Sequence, residues 1–212
     1  MILLRHCQSE FNLHFTRTRC DPGIIDPALT AEGLAQADAA AVALAGPDAR
    51  ADGRITRLIV SPYRRALQTA APIAARLGLE VTIEPMVRER FAFVCDVGSP
   101  RSSLERDWPG IDFSCLDEIW WNDGAATPDA PPERESEASV IARADRFRAR
   151  MASDPAWPDT LLVSHWGFLL ALSGRSIENG QWLRIDPTEP LREPIVWRHA
   201  TTPVLQKLPP RT

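Results

Sequence analysis

Apolar and polar positions alternate along the chain in blocks that predict strands followed by helices. Residues 1–4, 55–60 and 160–164 are apolar runs typical of buried strands, and residues 79–83 form a weaker run of the same kind. Between these runs apolar residues return at helical spacing. The predicted helices cover residues 31–45, 63–77, 136–151 and 167–172.

Residues at the expected helix ends agree with these assignments. Thr30 and Ser136 precede two of the apolar stripes, and their hydroxyls can accept hydrogen bonds from first-turn N–H groups. Pro62 is predicted at a first helical position, where no backbone N–H is needed. Gly78 follows the last apolar position of the same helix, and Gly46 ends the helix before it.

Two long segments show no sustained periodicity of apolar residues. Residues 7–29 are polar and rich in turn formers, so we expect a loop that presents side chains. Residues 90–134 are loop-rich, and a segment of this length inside a domain is most often functional, so we expect an inserted cap. Its tryptophans are expected either to pack on the sheet or to stack on a ligand. Residues 195–197 and 204–208 are weak strand candidates for a terminal hairpin or a sheet edge.

Strands that alternate with helices predict the α/β class. The expected architecture is a three-layer αβα sandwich with a mostly parallel central sheet and an inserted loop-rich cap. The 212 residues have ordinary globular composition, so residues 1–212 are predicted to form one domain with its cap at about 90–134. In such sheets functional side chains gather at the carboxyl ends of the strands.

Charge and cysteine content exclude several classes of protein. The net charge of −4 argues against a nucleic-acid binder or an anionic-membrane binder, which need a basic surplus. No apolar window reaches the roughly 18 residues of a membrane helix, and charge arrives at the fifth residue, so a cytoplasmic protein is predicted. The four cysteines have no metal-site or redox-pair spacing. We therefore predict reduced thiols, no metal and no cofactor.

Candidate chemistry is concentrated at two strand ends. His6 and His165 each directly follow a predicted strand, and Arg5 precedes the first of them. Arg64 and Arg65 fall in the first turn of a predicted helix, where cations oppose the helix dipole. A bound anion would reconcile this pair with the dipole, so these residues indicate an anion site.

Five short motifs follow one another along the chain. They are RHCQSEFN at 5–12, LTAEGLAQA at 29–37, SPYRRALQTA at 61–70, VRER at 87–90 and VSHWG at 163–167. In this order they resemble the motifs of the histidine phosphatase superfamily, also called phosphoglycerate mutase-like. The resemblance covers most of the chain.

The resemblance implies a role for each matched position. His6 would be the nucleophile that becomes phosphorylated, and Arg5, Arg65 and His165 would hold the phosphoryl group. Glu89 would be the proton donor. Arg65 is preferred to its neighbour because the arginine of the family motif directly precedes the alanine. The resemblance also assigns three substrate-binding positions: Ser9, Asn12 and Trp166.

These residue types suit phosphoryl transfer on their own terms. The reaction needs a positioned nucleophile and positive groups on the phosphoryl oxygens. Arginine supplies both charge and a planar fork that matches phosphate. A nucleophilic His6 must be neutral, so we expect its second ring nitrogen to donate to a backbone carbonyl.

The motifs depart from the family pattern in ways that bear on the reaction. Cys7 stands where the family motif has glycine, which could reshape the site or slow turnover. The mutases of the family carry an F-T-G-W segment, whereas residues 15–23 read FTRTRCDPG. The prediction is a metal-independent phosphomonoester hydrolase that acts through phosphohistidine on a small phosphorylated metabolite. The alternatives are a phosphoglycerate-type mutase and a non-catalytic phospho-ligand binder.

Overall fold

The computed structural model describes residues 1–46, 54–121, 134–191 and 195–197. The strands are β1 (Ile2–Arg5), β2 (Arg57–Val60), β3 (Val81–Ile83), β4 (Thr160–Ser164) and β5 (Trp182–Arg184). The helices are α1 (Glu10–Thr18), α2 (Ala31–Ala45), α3 (Arg64–Leu77), α4 (Arg101–Asp107), α5 (Glu137–Ala152) and α6 (Trp166–Ser173). Short 3₁₀ turns occur at Pro85–Val87, Val94–Asp96 and Trp157–Asp159.

The strands form one sheet in the order β3-β2-β4-β1-β5. Neighbours from β3 to β1 are parallel, and β5 is antiparallel to β1. Successive side chains of β1 point to opposite faces, so Ile2 and Leu4 pack with α2 and α3, whereas Leu3 packs with α5 and α6. The predicted α/β class, with helices on both faces of a mostly parallel sheet, is confirmed.

Most predicted helix ends are correct. Thr30 and Ser136 are the N-caps of α2 and α5, and their side chains accept hydrogen bonds from backbone N–H groups of the first turn. Gly78 ends α3 at a φ of 66°, a left-handed conformation that favours glycine. The placement of Pro62 is wrong, because α3 begins at Arg64.

The predicted loop at residues 7–29 is wrong in part, because it contains α1. None of the residues of α1 is buried, and Phe11 and Phe15 stack on each other outside the buried core. Ser9 and Asn12 instead form a capping box at its first turn. Hydrophobic periodicity therefore missed α1 because capping and local aromatic contacts, rather than core packing, support this helix.

The predicted edge strand at residues 195–197 is also wrong, since no strand is assigned there. Residues 204–208 lie outside the described residues. The sheet edge next to β1 is formed by β5, which has only three half-buried residues and therefore gives no apolar run.

The segment expected to form a cap contributes to the core. Trp120 and Trp121 are buried in the cluster that covers one face of the sheet, and the ring of Trp120 lies against Tyr63. Packing on the sheet is therefore the role of these two tryptophans. Residues 122–133 lie outside the described residues, and the cap at 90–134 stays a prediction. Within the described ranges, no helix is long and apolar enough to cross a membrane.

Candidate active site

Parallel pairing of β1 with β4 brings the two predicted histidines together. Arg5 lies opposite Ser164 in this register, so His6 and His165 leave the sheet side by side. The backbone N–H of His6 donates to the Ser164 carbonyl at 2.9 Å. The centroids of the two imidazole rings are 5.1 Å apart. Residues 159 positions apart in the chain (165 − 6) thus share one site.

His6 has the geometry of a nitrogen nucleophile. Its Nδ1 lies 2.8 Å from the Cys7 carbonyl oxygen, which can only accept, so Nδ1 carries the ring proton and Nε2 keeps a lone pair. Burial lowers the pKa of His6 well below its usual 6.5, and Arg65 and Arg5 lower it further. The ring is therefore neutral at neutral pH, and the expected bond to a backbone carbonyl is present.

His165 is fully buried, and one of its ring nitrogens is committed to the protein. Its Nε2 lies 2.7 Å from the Ser61 hydroxyl oxygen. Its Nδ1 is buried and has no hydrogen-bond partner among the described residues. Burial, together with Arg65, lowers the pKa of His165 well below 6.5. When Ser61 donates to Nε2, the proton resides on Nδ1, which can then donate to an anionic oxygen.

The two predicted arginines lie at the same end of the sheet, where Arg65 is buried and Arg5 is half-buried. Arg65 is 3% exposed whereas Arg64 is exposed, which separates the two neighbours in the way the motif implied. Arg5 donates through Nη1 to the Ile177 carbonyl at 3.0 Å. Its Nε is buried without a partner among the described residues. These donors suit the oxygens of a tetrahedral anion.

Two carboxylates of the chain itself offset part of the unfavourable interaction between the arginines and the helix dipole at the start of α3. Asp26 accepts a hydrogen bond from the backbone N–H of Arg64 at 3.0 Å, at the helix end where anions are favoured. Asp96 forms a buried ion pair with Arg65, with an Nη2 to Oδ1 distance of 3.2 Å. The expected anion site therefore has internal anionic partners.

Glu89 lies at the N-terminus of α6, beside His165. Its Oε2 accepts from the Gly167 N–H at 3.1 Å, and its Oε1 accepts from the Phe168 N–H at 3.3 Å. His165 is the N-cap of α6 and provides no side-chain cap of its own. Glu89 therefore caps the helix that carries the second histidine, which places its carboxyl group at the edge of the site.

Gly167→Ala is expected to disturb this carboxyl group. A Cβ at residue 167 would lie 2.5 Å from Oε1 of Glu89, so the carboxylate must move. We expect slower turnover and a loss of about 0.5–2 kcal/mol in the free energy of unfolding, the usual cost of a lost helix N-cap, because a displaced carboxylate loses its bonds to the first turn of α6. Steady-state kinetics and denaturant unfolding measure the two effects. Gly110→Ala is the control, because a Cβ there meets no atom within 4 Å, and equal behaviour of both variants would contradict the prediction.

Ser9 and Asn12 bond to each other rather than standing free. The Ser9 hydroxyl donates to Oδ1 of Asn12 at 2.9 Å, and the same oxygen accepts from Nδ2 of Asn179 at 3.1 Å. Asn179 also donates to the His6 carbonyl at 2.9 Å. Both predicted residues are thus connected to the backbone of the nucleophile, and substrate contact by them stays a prediction.

Trp166, the third predicted substrate contact, is half-buried at the start of α6. Its Nε1 donates to the Ser176 hydroxyl at 3.0 Å, and its ring meets that of Trp197 edge-on at a centroid distance of 5.9 Å. These contacts orient the indole within the chain. Contact with a substrate stays a prediction for this residue.

Cys7, which directly follows His6, is buried and hydrogen-bonded through its backbone. Its side chain is buried with Leu29 and Ala37, and its N–H donates to the Thr69 hydroxyl at 3.0 Å. Burial raises the pKa of the Cys7 thiol to about 11, so the thiol is protonated at neutral pH. All four cysteines are free thiols.

Three residues of the site were not predicted from the sequence: Arg143, Asn179 and Asp96. Arg143 is buried and donates to the carbonyls of Met86 and Arg88, which fixes the backbone before Glu89. Its position on the apolar stripe of α5 was a usable signal, because a charge there requires a buried partner. Asp96 and Asn179 lie in short turns, where no periodic pattern marks them.

Comparison with known proteins assigns the family. The chain matches the histidine phosphatase superfamily (branch 1) over residues 1–189. This chain belongs to the histidine phosphatase superfamily. Glucosyl-3-phosphoglycerate phosphatase of Mycobacterium tuberculosis is 32% identical over 183 residues, covering 82% of this chain and 73% of that protein.

Solved structures agree with this assignment. A mycobacterial glucosyl-3-phosphoglycerate phosphatase structure has 27% identity and a TM-score of 0.55, and the match covers 86% of this chain and 87% of that one. Alpha-ribazole phosphatase from Shigella flexneri has 23% identity and a TM-score of 0.54, covering 85% and 87%, and shows the shared fold. The chain is therefore a phosphatase of this superfamily, of the kind that hydrolyses phosphomonoesters.

Proposed function

We propose that this histidine phosphatase hydrolyses a small phosphorylated metabolite, without a metal, through a phosphohistidine at His6. The observation that supports this most directly is the buried neutral imidazole of His6, whose free Nε2 shares one strand-end site with His165 and two arginines. A neutral imidazole is a competent nucleophile, and the guanidinium groups supply the charge that phosphoryl transfer requires.

The proposed first step transfers the phosphoryl group to the enzyme. Nε2 of His6 attacks phosphorus while the ester P–O bond breaks and Glu89 protonates the leaving alkoxide. Arg5, Arg65 and His165 hold the phosphoryl oxygens. In the second step water attacks phosphorus, the N–P bond breaks, and the Glu89 carboxylate takes the proton of the water.

The substrate is proposed from the relatives and from the residues at the site. A relative with 32% identity is named for glucosyl-3-phosphoglycerate, so phosphorylated sugar acids lead the candidate substrates. Ser9 and Asn12 are proposed to line the phosphate pocket, and Trp166 is proposed as a further substrate contact. A cytoplasmic location is part of the same proposal.

Radiolabel transfer tests the proposed intermediate. We expect label from a phosphomonoester to appear on the native enzyme as an acid-labile, base-stable phosphohistidine with EDTA present. The label should be absent from His6→Ala and retained by His14→Ala, because His14 is exposed on α1. Loss of activity in EDTA, or label that persists in His6→Ala, would contradict the proposal.

A panel of phosphorylated metabolites identifies the substrate class and separates the alternatives. Release of inorganic phosphate from a sugar-acid ester supports the hydrolase. Conversion of 3-phosphoglycerate to its 2-isomer without phosphate release would instead indicate a mutase. Binding of phosphate without covalent label or turnover would indicate a non-catalytic binder.

A further inference from the structure

The guanidinium group of Arg65 is held by a buried carboxylate that the proposed mechanism does not use. Oδ1 of Asp96 lies 3.2 Å from Nη2 of Arg65, and the two side chains are 2% and 3% exposed. The other oxygen, Oδ2, accepts hydrogen bonds from the N–H groups of Ala92 at 3.1 Å and Phe93 at 3.0 Å. The backbone therefore fixes the carboxylate, and the carboxylate fixes one arm of the arginine.

Further contacts from the same turn and from Tyr63 hold Arg65 in place. The Cys95 carbonyl accepts from Nη1 of Arg65 at 2.8 Å. The Tyr63 hydroxyl donates to the Asp96 carbonyl at 2.6 Å, and the Tyr63 ring lies 4.3 Å from Cζ of Arg65. That ring also contacts the His165 imidazole at a centroid distance of 5.0 Å. The turn Val94–Asp96 thus couples the position of the arginine to the catalytic centre.

Asp96 also has a titratable carboxyl group beside the place where a phosphoryl group is proposed to bind. Burial raises its pKa from 3.8 to about 7, Arg65 opposes this rise, and Glu89 adds to it. The other titratable groups facing it are the Cys95 thiol, 3.5 Å from Oδ1, and Tyr63. Near neutral pH the carboxyl group is therefore divided between its protonated and ionised forms.

We propose that Asp96 is a positioning residue for Arg65 and that its carboxyl group takes up a proton from solvent when a phosphoryl dianion binds beside that arginine. The inference rests on the proposed role of Arg65 in holding the phosphoryl group. The ionised carboxylate repels a second anion on the same guanidinium. Because Oδ2 already accepts two backbone N–H bonds, the proton goes to Oδ1, where the hydroxyl faces the Cys95 sulfur and keeps a lone pair for the Arg65 hydrogen bond. Substrate affinity then depends on the protonation state of Asp96.

Calorimetric titration with tungstate tests this coupling. Dilute tungstate remains a tetrahedral dianion at and above neutral pH, so any proton taken up on binding there goes to the protein. Because Asp96 ionises as pH rises through about 7, tungstate affinity should fall by up to about tenfold per pH unit above that value. At pH 8 native enzyme should take up close to one proton more per bound anion than Asp96→Asn or Asp96→Ser, measured in buffers of different ionisation enthalpy.

Asp21→Asn is the matched control. Oδ2 of Asp21 accepts from the Val94 N–H at 2.8 Å, so this variant loosens the same turn without touching the guanidinium group of Arg65. It should keep the pH slope of tungstate affinity that the Asp96 variants lose. A merely structural Asp96 would lower thermal stability and leave the slope and the proton uptake unchanged, and that result would overturn the inference.

Results that contradict the proposed function differ from results that contradict only the inference about Asp96. If native enzyme does not bind tungstate, or if Arg65→Lys binds it equally well, Arg65 does not hold the anion and the proposed function loses its support. If binding requires Arg65 but native enzyme and Asp96→Asn share one pH profile, only the inference about Asp96 is overturned. The native pH profile tests the coupling even where an Asp96 variant does not fold.

Discussion

His6→Asn is expected to abolish turnover, with kcat reduced by about 10³-fold or more, as found when a covalent nucleophile is removed. The physical reason is that Asn has no ring nitrogen to form the N–P bond, while its amide can still donate to the Cys7 carbonyl as Nδ1 of His6 does. The loss should be equally complete for substrates with good and poor leaving groups. Steady-state kinetics with nitrophenyl phosphate and an alkyl phosphate provide the measurement.

His14→Asn is the control for this substitution, because it makes the same chemical change at an exposed position of α1. It should leave kcat unchanged. Tungstate binding by His6→Asn should persist, because the arginines that attract the anion are intact. Residual turnover near the native rate would assign the nucleophile elsewhere.

Glu89→Gln is expected to reduce turnover of an alkyl phosphate by about 10²–10⁴-fold, the usual contribution of general acid catalysis. A poor leaving group needs the proton that Glu89 is proposed to donate, whereas nitrophenolate leaves without it. The loss with nitrophenyl phosphate should therefore be much smaller. The ratio of the two losses is the informative quantity, because structural damage at the start of α6 would slow both substrates alike.

Glu105→Gln controls for removal of a carboxylate as such. Glu105 is exposed on α4 and pairs with Arg101 at 3.7 Å, so its replacement should leave both rates unchanged. Equal losses with the alkyl and nitrophenyl esters in Glu89→Gln would count against Glu89 as the proton donor. Glu89 would then act only as the cap of α6, through its bonds to Gly167 and Phe168.

Several corrections share one cause. Hydrophobic periodicity reports burial, so it found β4 at its observed bounds, Thr160–Ser164, and the buried face of α5. It missed α1 because that helix buries no residue, and it missed β5 because that strand is short and half-buried. The two missed elements share the lack of a buried residue, which is the feature that hydrophobic periodicity detects.

The difference between local sequence pattern and tertiary contact also explains which residues of the site were predictable. The residues that follow buried strands, His6 and His165, were predictable because strand ends of parallel sheets gather at one edge. Arg65 was predictable from its motif. Asn179 and Asp96 were not, because they reach the site from short turns whose position depends on tertiary contacts.

The sequence by itself determined the α/β class, the family and the residues proposed for the chemistry. Each of these depends on hydrophobic periodicity or on a short motif, and both are formed by residues that are close together in the chain. Only the tertiary structure decided that β1 lies beside β4, which sets the two imidazole rings 5.1 Å apart. It also decided that the Asp96 carboxylate forms an ion pair with Nη2 of Arg65, which is 31 positions away in the chain (96 − 65). Such pairings follow from the packing of the whole chain around its sheet, and no local stretch of residues encodes them.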